Sequence, residues 1–190
     1  MKLFPKVRMT IGLILLLSTN LYSQKSEEYE LMATVISSTL LNELSIRQDT
    51  IYNKKGQIKK IKGFKLSFIY MSDSTQAAPH QRDSDFKFLE KYFTFLTKDI
   101  YNDFVQKNKF PIKIDSLRGI KYEIRPIPKN ITTQNPIICV SRPGINDMKD
   151  KALIYFSLLW GGRVGYGSLY LLQKTASGWV IKESFLDWIT

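Results

Sequence analysis

Residues 151–190 read KALIYFSLLWGGRVGYGSLYLLQKTASGWVIKESFLDWIT and contain three runs rich in aliphatic and aromatic side chains. The runs cover residues 152–160, 163–174 and 179–189, and short segments that contain glycine separate them. Aromatic and β-branched residues favour strands, and glycine supplies the backbone freedom that tight turns need. The spacing therefore predicts an antiparallel meander of three strands.

Upstream of the meander, apolar side chains recur at helical spacing in two segments, residues 26–44 and 84–107. This spacing places the apolar side chains of each helix on one face, where a sheet can cover them. Between the helices, residues 51–70 combine a turn that contains glycine with an alternating pattern, which predicts a hairpin. Short apolar segments at 120–125 and 137–141 predict further strands.

The order of these elements predicts the α+β fold class. We expect two helices from the N-terminal half to pack on one side of a curved antiparallel sheet, which ends in the three-stranded meander. The second helix carries more aromatic rings than one stripe can bury, since Phe88, Phe95 and Tyr101 lie off its main apolar face. We expect other parts of the protein to cover this helix on several sides.

The N-terminal segment has the pattern of a secretory signal peptide, with a basic start, an apolar run over residues 11–17 and a polar tail. The apolar run is too short to span a bilayer, which takes about 20 residues. We expect cleavage between Ser23 and Gln24, which removes residues 1–23. The product would be a soluble periplasmic or secreted chain with one α+β domain over residues 24–190. The cations of the basic start are Lys2, Lys6 and Arg8.

Export and composition together narrow the class of partner. Cleavage removes the three cations and lowers the formal net charge from +11 to +8. Outside the cytoplasm the polyanions are glycans and lipid headgroups, so we expect no nucleic-acid partner. The single cysteine, Cys139, cannot form an intramolecular disulfide, and no later segment is apolar enough to span a membrane.

Residues 141–190 combine Ala-Leu-Ile-Tyr in a strand, a Gly-Gly-x-x-Gly-x-Gly stretch, a Lys-turn-Gly-Trp hairpin and a final Trp-Ile. In this combination the segment resembles many small exported bacterial proteins of unknown function, and the resemblance implies no activity. The Gly-Trp hairpin and the order of elements are also similar to cone-shaped domains of the nuclear transport factor 2-like group. That similarity implies a curved sheet that wraps helices around a pocket.

Few residues fit a metal or catalytic motif. His80 is the only histidine, which excludes zinc sites built from several imidazoles, and we expect no metal and no cofactor. A Cys139–His80 nucleophile pair is formally available, but Cys139 lies in an apolar run typical of a buried, unreactive thiol. The glycines of residues 161–167 lack the lysine of a phosphate-binding loop and lead into a strand. We expect Trp160, Trp179 or a helix to pack closely against them, or a binding groove beside them.

Two groups of side chains are candidate binding residues. A lysine-rich hairpin would contact anionic glycans or lipid headgroups, unless its lysines only protect a strand edge from aggregation. Its lysines are Lys54, Lys55, Lys59, Lys60, Lys62 and Lys65. A small apolar ligand would bind in a pocket between the second helix and the sheet. The candidate pocket residues are Tyr92, Tyr101, Trp160, Tyr166 and Trp179.

Two functions are compatible with these patterns. The first is a non-enzymatic exported module that binds an envelope protein, an anionic surface or a small apolar ligand. The second is a small pocket enzyme of nuclear transport factor 2-like architecture that uses Asp or Tyr groups. A deep pocket holding a carboxylate of strongly shifted pKa would favour the enzyme. A filled core with a flat basic face would favour the binding module.

Overall fold

The structure, a computed structural model, has an α+β fold with a seven-stranded sheet and a separate two-stranded hairpin. Its described residues are 25–41, 48–52, 58–63, 68–76, 79–80, 82–114, 117, 119–129, 135–160 and 164–190. For residues 48–52, 58–63 and 83 the description covers the backbone alone. The helices are α1 over 25–41, α2 over Asp83–Leu89 and α3 over Lys98–Asn108. The strands are β1 Gln48–Tyr52, β2 Ile58–Gly63, β3 Phe68–Met71, β4 Glu123–Pro126, β5 Pro136–Val140, β6 Gly144–Ile145, β7 Lys151–Trp160, β8 Val164–Thr175 and β9 Gly178–Ile189.

The predicted meander is confirmed. The predicted hairpin is present, but residues 68–70, which the alternating pattern assigned to it, lie on β3 of the main sheet. β7 pairs antiparallel with β8, and β8 pairs antiparallel with β9. β1 pairs antiparallel with β2 in a two-stranded sheet of its own. β5, predicted as a short buried strand, is buried along its whole length.

The sheet is mixed, where an antiparallel one was expected. Its strand order is β4-β3-β5-β7-β8-β9, and β6 lies beside β7. β3 runs parallel to both of its neighbours, β4 and β5. Parallel neighbours need a crossover connection, and the segment that carries α2 and α3 provides it between β3 and β4.

Helices cover both faces of the sheet, so the expectation that they lie on one side was wrong. On one side, which we call the α1 face, Ile154 and Phe156 of β7 pack in a cluster with Ile36 of α1. On the other, the α3 face, Leu153 and Tyr155 pack in a cluster with side chains of α2 and α3. Successive residues of a strand point to opposite faces, so a strand between two helical layers is apolar at nearly every position.

The predicted second helix is divided into α2 and α3. The backbone N–H of Thr94 donates a hydrogen bond to Glu183 Oε2 of β9 at 2.9 Å, in place of a helical carbonyl. Thr97 then has an extended backbone before α3, and its hydroxyl donates to the Asp99 carboxylate. The apolar stripe is still buried as predicted, at Leu89, Phe93, Leu96, Ile100 and Phe104.

A buried ionic network joins α1 to α3 through the loop between β5 and β6. Arg142 of that loop donates to both carboxylate oxygens of the buried Glu28, at 3.0 and 3.1 Å. Lys107 Nζ lies 3.3 Å from Glu28 Oε1 and 2.8 Å from Asp103 Oδ2. The Asn108 side chain donates to the Arg142 carbonyl and accepts from the Arg142 N–H. These bonds connect the helical layers of the two faces.

Candidate binding surface

The lysine-rich hairpin lies apart from the main sheet. Lys59, Lys60 and Lys62 lie on β2, where Lys60 pairs with Ile51 and Lys62 with Asp49 of β1. The remaining lysines of the group, Lys54, Lys55 and Lys65, lie outside the described residues. Contact of this hairpin with anions therefore stays a prediction.

The structure does not bring the five predicted pocket residues together. Trp160, Tyr166 and Trp179 belong to the cluster on the α1 face, and the register places Trp160 and Trp179 toward opposite ends of the sheet. Tyr101 is buried on the α3 face. Tyr92 is exposed. The predicted residues diverge because the α2–α3 segment, which carries Tyr92 and Tyr101, covers the sheet face opposite to that of the three strand residues, whereas the prediction placed everything on one side.

An exposed cluster of aromatic rings, which we call the aromatic patch, lies where α2 and the turn after it meet β9. It consists of the rings of Phe88, Tyr92 and Phe185, which contact one another, and of Phe95, which follows Tyr92 by three residues in the same segment. The side chains of Phe88, Tyr92 and Phe95 are 40%, 54% and 49% exposed. The ring of Phe185 lies 4.6 Å from that of Tyr92 and 5.6 Å from that of Phe88, measured between centroids. The prediction that other parts of the protein cover Phe88 and Phe95 is thus wrong, and the rings face solvent.

His80 and Asp187 border one end of the aromatic patch. His80 Nε2 lies 2.6 Å from Asp187 Oδ1, and its ring stacks on Phe88 at 6.2 Å between centroids. The backbone of His80 has a φ of 58°, in the left-handed region that costs most residues free energy. Tyr101 OH donates to the His80 carbonyl at 3.0 Å, and this bond helps to hold the conformation.

A β-bulge in β9 sets the position of Asp187 at this end of the aromatic patch. Gly167 pairs with Trp188 and Ser168 with Leu186, so Asp187 is the additional residue of a bulge. A bulge turns two successive side chains to similar directions. Asp187 accordingly bonds to His80, and Trp188 Nε1 donates to Tyr155 OH at 2.6 Å on the same α3 face.

Tyr155 and Cys139 are the buried titratable groups beside this bulge. Burial raises the pKa of Tyr155 above its ordinary 10.0, and the bond from Trp188 opposes the rise. Burial likewise raises the pKa of the Cys139 thiol above 9.0, and a hydrogen bond with Ser157 opposes it. A thiol with a raised pKa is a poor nucleophile, and His80 pairs with Asp187, so the structure does not support a Cys139–His80 pair.

Gly165 and Gly167 have the close packing predicted for the glycine-rich stretch, while Gly161 and Gly162 lie outside the described residues. A Cβ on Gly167 would collide with Tyr155 OH and Trp188 Nε1, so the atoms nearest to it come from neither Trp160 nor Trp179. A bulge lies directly after Gly167, as expected of a strand with several glycines. Absence of a side chain here makes room for the Tyr155–Trp188 hydrogen bond.

The segment that carries Phe88, Tyr92 and Phe95 is rich in exposed cations. Among the charged side chains of residues 82–98 that are described as exposed, four are cations and one, Glu90, is a carboxylate. Lys98 Nζ lies 4.6 Å from the Phe86 ring centroid. The four cations are Arg82, Lys87, Lys91 and Lys98.

A small dimple adjoins Phe95 at the other end of the patch from His80. Its lining is almost wholly apolar and comes from Phe95, Lys151, Leu171, Leu172, Gln173 and Lys182. Lys151 Nζ lies 5.5 Å from the centroid of the Phe95 ring. The space inside is about that of one water molecule.

No family model, curated protein or solved structure matches this chain. None of the helices in the described part of the chain is long and apolar enough to cross a membrane. Within the same residues, no group of three or more His, Cys, Asp or Glu side chains is placed to hold a metal ion.

Proposed function

We propose that the chain is an exported, non-enzymatic binding module that docks on an anionic lipid surface through the aromatic patch. The observation that carries this proposal is the exposure of two contacting rings, Phe88 and Tyr92, with a third exposed ring, Phe95, in the same segment. Monomeric proteins seldom leave adjoining large apolar side chains in water without a binding role.

The shape of the patch favours a surface as its partner. The rings are about half exposed, and the dimple beside Phe95 holds only about one water molecule. Small-molecule sites are instead concave and enclose most of their ligand. Exposed aromatic side chains beside lysines suit the boundary between lipid headgroups and acyl chains.

Addition of a partner strand to the sheet is a poorer explanation of this surface. β4 and β9 are the edge strands of the described sheet. β9 departs from regular pairing at Lys182 and at Asp187, and β4 has only four residues. Bulges, lysines and short strands are the features by which proteins protect sheet edges from further pairing.

Charge supports an anionic lipid in particular. Four exposed cations and one exposed carboxylate lie in the segment that carries the rings, and the mature chain would have a net charge of +8. Each lysine or arginine near an anionic membrane contributes about 1 kcal/mol of attraction. The lysine-rich hairpin is a second candidate for contact with the same surface.

Vesicle cosedimentation of the exported protein tests the proposal. We expect binding to vesicles of phosphatidylethanolamine with phosphatidylglycerol and little binding to phosphatidylcholine. Burial of a large aromatic side chain contributes about 1.5–3 kcal/mol. Phe88→Ala with Tyr92→Ala should therefore weaken binding at least about tenfold.

Phe110→Ala is the matched control, because Phe110 is 72% exposed but lies outside the patch. Unchanged binding after the Phe88 and Tyr92 substitutions would exclude the patch. A loss only after Lys55, Lys59, Lys60 and Lys62 are changed to Gln would assign docking to the hairpin instead.

The alternative function is the small pocket enzyme. The observation in its favour is the His80–Asp187 pair, because a carboxylate that orients an imidazole is a common part of catalytic sites. Mass spectrometry of small molecules that copurify with the exported protein tests it. A bound metabolite that is lost in His80→Ala would favour the enzyme over the docking module.

A further inference from the structure

We infer that the end of β9 inserts edge-on into the headgroup region of an anionic bilayer, with exposed apolar side chains on both of its faces. The inference rests on the proposed function and adds a second apolar patch to that docking surface. The aromatic patch lies on the α3 face. Leu186 and Ile189 of β9, with Val164 of β8, form the second, which we call the aliphatic patch.

The strand register places the aliphatic patch on the α1 face. Residues that pair across neighbouring strands point to the same face of a sheet. Trp160 and Tyr166 belong to the cluster of the α1 face, and Ser168 pairs with Phe156 of that cluster. The three members of the aliphatic patch pair with these residues, Val164 with Trp160, Ile189 with Tyr166 and Leu186 with Ser168.

The aliphatic patch is exposed, although α1 covers the same face elsewhere. Ile189 is 73% exposed, and Val164 and Leu186 are 55% and 54% exposed. At the opposite end of this face, Leu172 and Trp179 are buried. The last residues of β9 therefore leave several aliphatic groups in water, as the aromatic patch leaves its rings.

A bilayer surface suits this arrangement better than a folded partner. Phe185 packs with the rings of the α3 face, and the next residue, Leu186, belongs to the α1 face, so the two patches lie back to back on one edge strand. Contact with both patches requires a partner that surrounds the edge from two sides. Lipid headgroups and upper acyl chains fill such space around an amphipathic element to a depth of about 5–10 Å. A protein partner would need a deep cleft of matching shape.

The polar groups at this edge limit the insertion to the headgroup region. β9 has no strand beside its outer edge in the described sheet, so backbone groups there need water or headgroups as hydrogen-bond partners. Asp187 lies in the same part of β9, and His80 Nε2, 2.6 Å from its carboxylate, gives it a partner that carries positive charge when protonated. The exposed cations Lys87 and Lys91 lie in the segment of the aromatic patch, where they attract anionic headgroups.

Cosedimentation with vesicles of phosphatidylethanolamine and phosphatidylglycerol tests the contribution of the aliphatic patch. We expect Leu186→Ala with Ile189→Ala to weaken binding about tenfold or more, because two apolar side chains that the bilayer would bury are lost. The matched control is Phe110→Ala with Ile124→Ala. It also removes two exposed apolar side chains, one of them from β4 at the opposite edge of the sheet, and should leave binding unchanged.

A fluorophore that senses polarity reports the insertion directly. Cys139 is buried, so a thiol reagent reacts with the introduced cysteine of Ile189→Cys or of the control, Phe110→Cys. On the same vesicles we expect the emission of the label at residue 189 to shift to shorter wavelength, and that of the label at residue 110 to stay as in water. A quencher near the lipid headgroup should quench the label at residue 189 more than one near the end of the acyl chain.

Three results would overturn edge-on insertion. They are binding like that of the wild type after the Leu186 and Ile189 substitutions, emission at residue 189 that stays as in water, or a dimer in solution that those substitutions dissociate. The third would show that a second copy covers the aliphatic patch. All three leave the proposed function intact if vesicle binding still depends on Phe88 and Tyr92. Vesicle binding that is insensitive to those two rings would reject the proposed function and the inference together.

Discussion

Gly167 shows at the scale of one residue how the binding surface depends on a missing side chain. The Tyr155–Trp188 hydrogen bond lies where a Cβ at this position would be. Trp188 follows Asp187, which holds His80 at the end of the aromatic patch. Gly167 thus makes room for the Tyr155–Trp188 hydrogen bond at the end of β9. The same end of β9 carries Asp187 beside the aromatic patch.

We expect Gly167→Ala to destabilise the protein by about 1–3 kcal/mol, the usual cost of an additional methyl group in a packed site. Urea unfolding measures the change in the free energy of unfolding. The cost should become smaller in a Trp188→Ala background, because one of the two groups that the Cβ meets is gone. An equal cost in both backgrounds would contradict the collision.

The raised pKa values of Tyr155 and Cys139 predict a loss of stability at alkaline pH. Burial makes the folded protein hold both protons above the ordinary values of 10.0 and 9.0. Below pH about 9 both groups are protonated in either state, so their contribution to stability is fully present. As the pH rises further, the unfolded chain loses these protons first, and the free energy of unfolding falls.

Tyr155→Phe separates the two effects in urea unfolding from neutral pH to about pH 11, where the tyrosine of the unfolded chain has ionised. The variant should be less stable at neutral pH by about 1–3 kcal/mol, because the Trp188 indole N–H loses its acceptor. Its alkaline loss should be shallower, since one ionising group has been removed. A slope equal to that of the wild type would show that the titration of Tyr155 does not contribute.

The sequence predicted which rings lie off the buried stripe, but it did not predict their exposure or the contact between His80 and Asp187. It identified Phe88 and Phe95 as lying off the buried stripe, which is correct, but expected other elements to cover them. The partner of His80 could not be found, because Asp187 lies 107 residues away and depends on a bulge. Residue pairs brought together by strand register leave no local pattern in a single sequence.

At the scale of elements, the division between α2 and α3 decides which aromatic rings are exposed. The apolar spacing of residues 84–107 fits one continuous helix, and the buried stripe follows that spacing. The break comes from the Thr94–Glu183 bond, which joins this segment to a strand far along the chain. Helical periodicity therefore predicted what is buried, while a tertiary contact determined where the chain turns.

The buried ionic network that joins α1 to α3 gives a prediction about the stability of the protein. Glu28 is buried and bonded to Arg142 and Lys107, so Glu28→Gln removes the carboxylate that faces the Arg142 guanidinium, while Lys107 keeps Asp103. Breaking a buried ion pair on one side costs about 3–5 kcal/mol. Urea unfolding should show a loss of this order.

Glu27→Gln is the matched control for the Glu28 substitution. Glu27 is the adjacent residue on α1 and pairs with Lys174, whose side chain is 46% exposed. An ion pair with so exposed a partner contributes about 0–1 kcal/mol. Equal losses in the two variants would refute a special role for the buried network.

At the scale of the whole molecule, the α+β class and the meander were predictable, and the two-sided cover of the sheet was not. β7 is apolar at almost every position, and only residues 151 and 159 are less than fully buried. A run without alternation is typical of a strand covered on both faces. That signal was present in the sequence, but both predicted helices were assigned to one side.

The two bulges of β9 also raise the number of side chains along this edge of the sheet. Twelve residues of β9 run beside only ten of β8, from Tyr166 to Thr175. The edge strand therefore carries more side chains per ångström than its neighbour, and the surplus lies on the α3 face. Lys182 and Asp187, which a regular strand of this length could not accommodate, give that edge a cation at one end and an anion at the other. The proposed binding surface would acquire its polarity from two residues of additional chain length.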